Sequence, residues 1–236
     1  LVKIEYNDRL KELNMASGKD SSKESLASVR EFDFVTRTIF APIYPVISGQ
    51  IITRLGITRG RCLDLGTGPA SLAIAYTHQS LCTTWALDQS VMAVQVASEN
   101  IARAGLAARI LPVTGDVHAL PFADESADII ISRGSLFFWY DLNTAFVEIA
   151  RVLKPGGGLY IGGGFGSTEL KDAIITRMEQ REPGFGREVK GRLSKTNKSN
   201  IKAALIESGL SSPGTINDII EDETGMWVCL KKVRQV

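Results

Sequence analysis

CLDLGTGPAS, residues 62–71, is the stretch that decides the fold. A short apolar strand ends at Asp64, and a glycine turn then opens a helix near Ala70. Gly66 and Gly68 have no Cβ, so the backbone can turn sharply there and approach a ligand closely. The helix behind the turn begins with unpaired N–H groups. GTGPAS nearly matches G-x-G-x-x-G, with Ser71 in the last place, and dinucleotide-binding domains share that design. Taken alone, the stretch puts a ligand at a strand end without choosing the ligand.

On either side, short apolar runs alternate with longer amphipathic ones. RCLDL (61–65), TTWALD (83–88), RILPVTG (109–115), DIIIS (128–132) and LYIGG (159–163) read as strands. Residues 70–78, 90–104 and 141–153 read as helices; in the last, Leu142, Ala145, Phe146, Ile149 and Leu153 share one face. Five such alternations predict parallel strands joined by right-handed crossovers. After a predicted helix at 200–208, TINDIIED (215–222) and GMWVCLKK (225–232) read as an antiparallel hairpin turning near Gly225. The expected fold is α/β: a doubly wound, mainly parallel, seven-stranded sheet closed by a C-terminal antiparallel hairpin.

The N-terminal part differs. Residues 1–30 are polar and rich in Ser and Lys, which predicts a frayed helix followed by a loop. Residues 32–55 are amphipathic, and Pro42 and Pro45 are expected to divide them into two short helices. The predicted division is a helical lid over 1–56 and a ligand-binding domain over 57–236.

Composition narrows the class. Hydrophobic residues make up 44% and charged residues 22%, ordinary for a packed globular protein. A net charge of +1 gives no global attraction to nucleic acid or to anionic membranes. No apolar run approaches the ~20 residues of a membrane-spanning helix. The sequence begins LVKIEYNDRLKEL, without Met and without a signal-like pattern, so cytoplasmic residence is expected and residues upstream are left open. Cys62, Cys82 and Cys229 are scattered and predict buried thiols; with only His78 and His118, no metal site is expected.

Three carboxylates refine the ligand. Asp64, inside the apolar strand end, can accept a hydrogen bond from the ammonium of a bound amino acid, and would repel a pyrophosphate. Asp88 ends the next strand, where a carboxylate can accept both hydroxyls of a ribose. Asp116, in GDVHALPF, is placed to accept the exocyclic amine of adenine, with Val117 supplying backbone contact. All three sit at C-terminal ends of successive strands, where open α/β sheets bind ligands.

With those residues in view, LDLGTGP, ALDQS, GDVHALPFADESADIIISRGSLFF and EIARVLKPGGGLYIGGG resemble the ordered motifs of class I S-adenosylmethionine-dependent methyltransferases. The resemblance runs from about Arg61 to Val233 and is strongest to the small-molecule branch that includes quinone-biosynthesis methylases. It implies S-adenosylmethionine as cofactor, S-adenosylhomocysteine as product, and a small-molecule acceptor. It implies that Gly66, Thr67 and Gly68 form the turn at the methionine end beside Asp64. Asp88 with Gln89 would hold the ribose, and Asp116 with Val117 the adenine. The family often carries a third glycine where Ala70 stands, so altered packing is expected there.

The acceptor side is less defined. Arg133, after strand four, is counted with the cofactor residues as a partner for the cofactor carboxylate; pairing with an acceptor carboxylate or phosphate, or bridging of backbone carbonyls, are the alternatives. Phe137 and Phe138 are expected to pack in the core, while Trp139 or Tyr140 is expected to wall the acceptor pocket. Tyr44 is a third candidate for that wall, and His118 is expected at the adenine rim. IGGGFGS (161–167) predicts either a turn with positive φ or close approach of the acceptor. GREVKGRLSKTNKS (186–199) is basic and predicts a solvated loop, or alternatively a lid for an anionic acceptor. No nucleic-acid or membrane partner is expected, and no catalytic base is assigned.

Three other readings remain. An NAD-dependent oxidoreductase is opposed by Asp64, by the closing hairpin and by the lack of a Tyr-x-x-x-Lys pair. Arsenite methylation would need converging cysteines. A regulator that binds the cofactor without transferring the methyl group keeps the same motifs.

Overall fold

The computed structural model describes residues 25–192, 195–211 and 218–232. Among them are strands β1 (Arg59–Leu65), β2 (Leu81–Asp88), β3 (Ile110–Thr114), β4 (Ala127–Arg133), β5 (Leu153–Gly164), β6 (Asp218–Asp222) and β7 (Gly225–Lys231). They form one sheet in the order β3-β2-β1-β4-β5-β7-β6. The first five run parallel, and β7 is antiparallel to both β5 and β6. The sequence reading of the sheet therefore holds, including its closing hairpin; residues 215–217 of the predicted first hairpin strand lie outside the described residues. The order reverses between β1 and β4, and the ligand crevice of such a sheet lies at that switch point.

The helices are α1 (Leu26–Val35), α2 (Ile43–Leu55), α3 (Ser71–Gln79), α4 (Val91–Arg103), α5 (Leu142–Val152), α6 (Thr168–Arg181), α7 (Phe185–Arg192) and α8 (Lys195–Glu207). Side chains alternate across a strand, so each inner strand feeds two cores. Leu63, Ile130, Leu159 and Val228 face α5 and α8, where Phe146, Ile149, Ala204 and Leu205 are buried. Cys62, Ile129, Ile131, Tyr160 and Trp227 face the other way, onto α2, α3 and α6. Ile43, Ile47 and Ile51 of α2 are fully buried there. Each contributes about 1.5–3 kcal/mol, which fixes the N-terminal cover to the sheet. The three cysteines are buried free thiols, and no helix among the described residues is long and apolar enough to cross a membrane.

Three local expectations are corrected. The loop expected up to residue 30 is helical from Leu26, because the Ser25 hydroxyl accepts the Ser28 N–H and Ser28 returns a bond to the Ser25 N–H in a capping box. Residues 36–40 continue the helix as a π-turn, Thr36–Phe40, and Pro42 alone interrupts it. Pro45 lies in the first turn of α2, where a missing N–H leaves no bond broken. The basic run 186–199 is mostly helix: Glu179 accepts the N–H groups of Gly184 and Gly186 at 2.8 Å each, bracing the start of α7. Helix α6 was not anticipated, although Ser167 caps it by accepting the Leu170 N–H at 3.2 Å.

The glycines of β5 have a third explanation. A Cβ on Gly162 would lie 2.1 Å from the Met226 carbonyl oxygen, and one on Gly164 would lie 2.8 Å from Trp227 Nε1. These glycines admit β7 and its indole; of the glycines in this stretch, only Gly166 carries a positive φ, 81°.

Candidate functional site

The turn after β1 is held from three sides. Gly66 and Gly68 take φ values of 62° and 51°. A Cβ on Gly66 would meet Ser135 Cβ at 2.3 Å, so the turn packs directly against the segment after β4. Ser132 and Ser135 both donate to the Leu65 carbonyl, at 2.7 and 3.0 Å. The Thr67 N–H donates to the Leu87 carbonyl at 2.9 Å, pinning the turn to β2. Ala70, where a third glycine was expected, adopts φ 66° and ψ 23° and is fully buried. A left-handed alanine is strained, so the departure from the glycine pattern is energetic as well as steric.

Asp64 is 2% exposed and accepts the Thr67 hydroxyl at 2.7 Å. Burial pushes its carboxyl up to about 7, with the Thr67 hydroxyl acting in the opposite direction. A buried carboxylate with so little local neutralisation suits a cationic ligand group. Asp88 holds the turn as well: its two oxygens accept the Gly68 N–H at 2.8 Å and the Ser90 N–H at 3.0 Å. Each carboxylate oxygen can accept more than one hydrogen bond, so these contacts orient Asp88 and leave it competent toward hydroxyls. Gln89, beside it, is exposed.

At the end of β3, Asp116 accepts the His118 N–H at 2.9 Å and lies 2.6 Å from His118 Nδ1. His118 Nε2 accepts the Asp141 N–H at 3.3 Å. An accepting Nε2 puts the ring proton on Nδ1, donated to Asp116. The Tyr140 ring stacks on His118 at 3.8 Å between centroids, and Val117 is buried in the core.

Arg133 faces the cover. Its Nε donates to the Gly164 carbonyl at 3.0 Å, and its guanidinium lies 5.3 Å from the Phe40 ring and 5.4 Å from the Tyr44 ring. Burial raises the Tyr44 phenol above its usual range, and the Arg133 charge opposes that shift. A cavity of about 60 Å³ is lined by Asp64, Gly66, Thr67, Gly68, Tyr44 and Arg133, together with Phe32, Pro69, Ser71 and Leu72. Among the described residues Arg133 is the only cationic side chain on its wall.

The fold thus brings most predicted site residues to the switch point. Asp116, Val117 and Gln89 line the strand ends farther along, beyond Asp88. Trp139 and Tyr140 go elsewhere: Trp139 packs edge-on against Phe146 at 6.1 Å, and Tyr140 sits with His118. Neither lines the cavity of Tyr44 and Arg133. Phe137 packs on the core as expected, whereas Phe138 is exposed. Phe32 and Ser71 were missed; Phe32 lies in EFDFV, whose alternation hides the helical face it belongs to.

A family model described as a methyltransferase domain matches residues 63–161. The structure resembles that of a candidate S-adenosyl-L-methionine-dependent methyltransferase from Methanococcus maripaludis, with TM-score 0.85 and 42% identity, covering 93% of this chain and 99% of that one. A ubiquinone/menaquinone biosynthesis C-methyltransferase from Geotalea daltonii is 34% identical over 104 residues, 43% of this chain and 44% of its own. A malonyl-[acyl-carrier protein] O-methyltransferase from Methylococcus capsulatus is 33% identical over 111 residues, 46% of this chain and 38% of its own. The chain thus spans less than half the length of these two curated relatives. Over nearly its full length, by fold, motif order and identity, it belongs to the class I S-adenosylmethionine-dependent methyltransferases.

Proposed function

We propose that this chain transfers a methyl group from S-adenosylmethionine to a small-molecule acceptor. The observation that carries the reading is Asp64: a buried carboxylate beside a glycine turn, with its pKa raised by burial to about 7. That environment fits an ammonium and disfavours the pyrophosphate of a dinucleotide. The residues present fit the cofactor: Asp64, Gly66, Thr67 and Gly68 would hold its methionine end, Asp88 and Gln89 the ribose, Asp116 and Val117 the adenine. Bound S-adenosylmethionine supplies a methyl group on a sulfonium, open to in-line displacement.

The protein's part is alignment and exclusion of water. Arg133 would pair with the methionine carboxylate, and its charge on the same wall favours an acceptor that is itself anionic. Tyr44, anchored on α2, would border the acceptor; Tyr140, stacked on His118, would serve the adenine end beside Asp116. The helical cover formed by 26–55 would act as lid to the domain that follows. Three buried free thiols support residence in the reducing cytoplasm.

The test is calorimetric titration with S-adenosylmethionine, S-adenosylhomocysteine and NAD, followed by a screen of small carboxylates and phosphates with labelled methyl donor. Binding of both sulfur nucleotides together with label transfer is the expected result. Preference for NAD would overturn the reading, and binding without transfer to any acceptor would favour the regulator.

A further inference from the structure

Helix α1 carries a buried carboxylate that the transfer reaction does not use. Asp33 is 5% exposed; its Oδ2 accepts Arg37 Nε at 2.9 Å and its Oδ1 accepts Asn100 Nδ2 at 2.7 Å. Asn100, on α4, is 6% exposed, and the same Nδ2 donates to the Pro69 carbonyl at 3.0 Å. Both hydrogens of one amide are therefore used, one on the cover helix and one on the turn. The amide is itself fixed, because Asn100 Oδ1 accepts from Arg103 at 2.5 Å.

The Pro69 carbonyl belongs to the peptide plane that sets φ of Ala70. Holding that oxygen holds Ala70 at φ 66°, the strained residue on which the turn closes. On the helix side, residues next to Asp33 complete a bridge. Arg30 forms a two-pronged pair with Glu99 of α4 at 2.8 and 3.0 Å, and Glu31 pairs with Arg181 of α6. The following residue, Phe32, reaches over the turn, 3.4 Å from where a Gly68 Cβ would stand, and lines the cavity. At about 60 Å³ that cavity is far below the ~300 Å³ of ordinary ligand pockets. Phe32, on α1, thus narrows the space beside the turn.

We infer that Asp33 and Asn100 are positioning residues that lock the docking of α1 and the shape of the Gly66–Ala70 turn into one unit. The strap over the cofactor site then cannot lift without loosening the turn. This rests on the proposed function only in taking the turn to be the methionine end of the site; the coupling itself is a property of the ligand-free chain.

Hydrogen exchange of the full chain without ligand, read at residues 26–35 and 65–73, tests it. Asp33→Ala is expected to speed exchange in both segments and to weaken S-adenosylhomocysteine about tenfold. Asp33→Asn, which keeps an oxygen for the Asn100 amide, should stay near wild type at the turn. The exchange Asp33→Asn with Asn100→Asp restores a bond between the helices but leaves Pro69 without its donor. It should protect 26–35 and leave 65–73 fast. Adding Ala70→Gly to Asp33→Ala should return protection to the turn alone, since glycine needs no clamp at positive φ. If Asp33→Ala loosens only 26–35, with the turn and the affinity unchanged, the two are not coupled and the inference fails. If wild type does not bind S-adenosylhomocysteine yet the two segments loosen together, the coupling stands and the proposed function falls.

Discussion

The strand ends and the helical cover meet at one cavity but are built on different terms. At the strand ends, Asp64, Asp88 and Asp116 are each fixed by backbone N–H groups or a neighbouring hydroxyl or imidazole within a few residues or on the adjacent strand. On the cover, Phe32, Asp33, Phe40 and Tyr44 reach their partners across long chain separations, on Gly68, Asn100, Phe165 and Arg133. In the proposed reading the sheet holds the cofactor through these local contacts, while the cover packs over the same turn and would also border the acceptor.

The largest effect that would test this division is Asp88→Ala. It removes two turn contacts together with the proposed ribose acceptor, and should weaken S-adenosylhomocysteine at least about 100-fold in calorimetry. An undiminished affinity would move the ribose elsewhere.

Asp64→Asn comes next, with effects of opposite sign. The folded pKa, about 7, lies above the unfolded value near 4. Stability from this group is therefore full below about pH 4 and is lost as pH rises through about 7. Denaturation of the ligand-free protein should show that decline, amounting to a few kcal/mol, and Asp64→Asn should flatten it. The same substitution should weaken the cofactor, because the ammonium loses its charge partner. A variant that is neither steadier at pH 8 nor weaker in binding would contradict both statements.

Arg133→Gln is a sharper probe, since this side chain touches both regions. Its place on the cavity wall predicts about tenfold weaker S-adenosylhomocysteine. Unchanged cofactor affinity with a raised acceptor KM would instead assign Arg133 wholly to the acceptor. The smallest expected effect is that of Ala70→Gly alone: release of left-handed strain should add about 1 kcal/mol to stability, read as a higher Tm.

These differences match what could be read from the sequence. Strand runs such as DIIIS and the spacing of Asp64, Gly66 and Gly68 carry their meaning locally, so both the sheet and the glycine turn were legible. The carboxylates at 88 and 116 followed once the strands were placed. Asp33 carried no signal of its own in the sequence, because its partner Asn100 lies 67 positions away. Trp139 and Tyr140 looked like an acceptor wall because they follow Arg133. The short helical turn Leu136–Phe138 instead carries them toward α5 and His118. The basic run 186–199 has loop composition, yet Phe185 and Val189 pack against the core from α7, and only tertiary contact reveals that.

The glycine-stripped edge of β5 also sets a timetable for synthesis. Gly162 and Gly164 are shaped to receive Met226 and Trp227, and the Phe165 N–H bonds the Thr224 carbonyl. A ribosome adding about 5–20 residues per second completes β5 several seconds before β7 exists. During that interval three more helices emerge while the edge of β5 is unpaired, and at Gly162–Gly164 it has no side chain to fend off another extended chain.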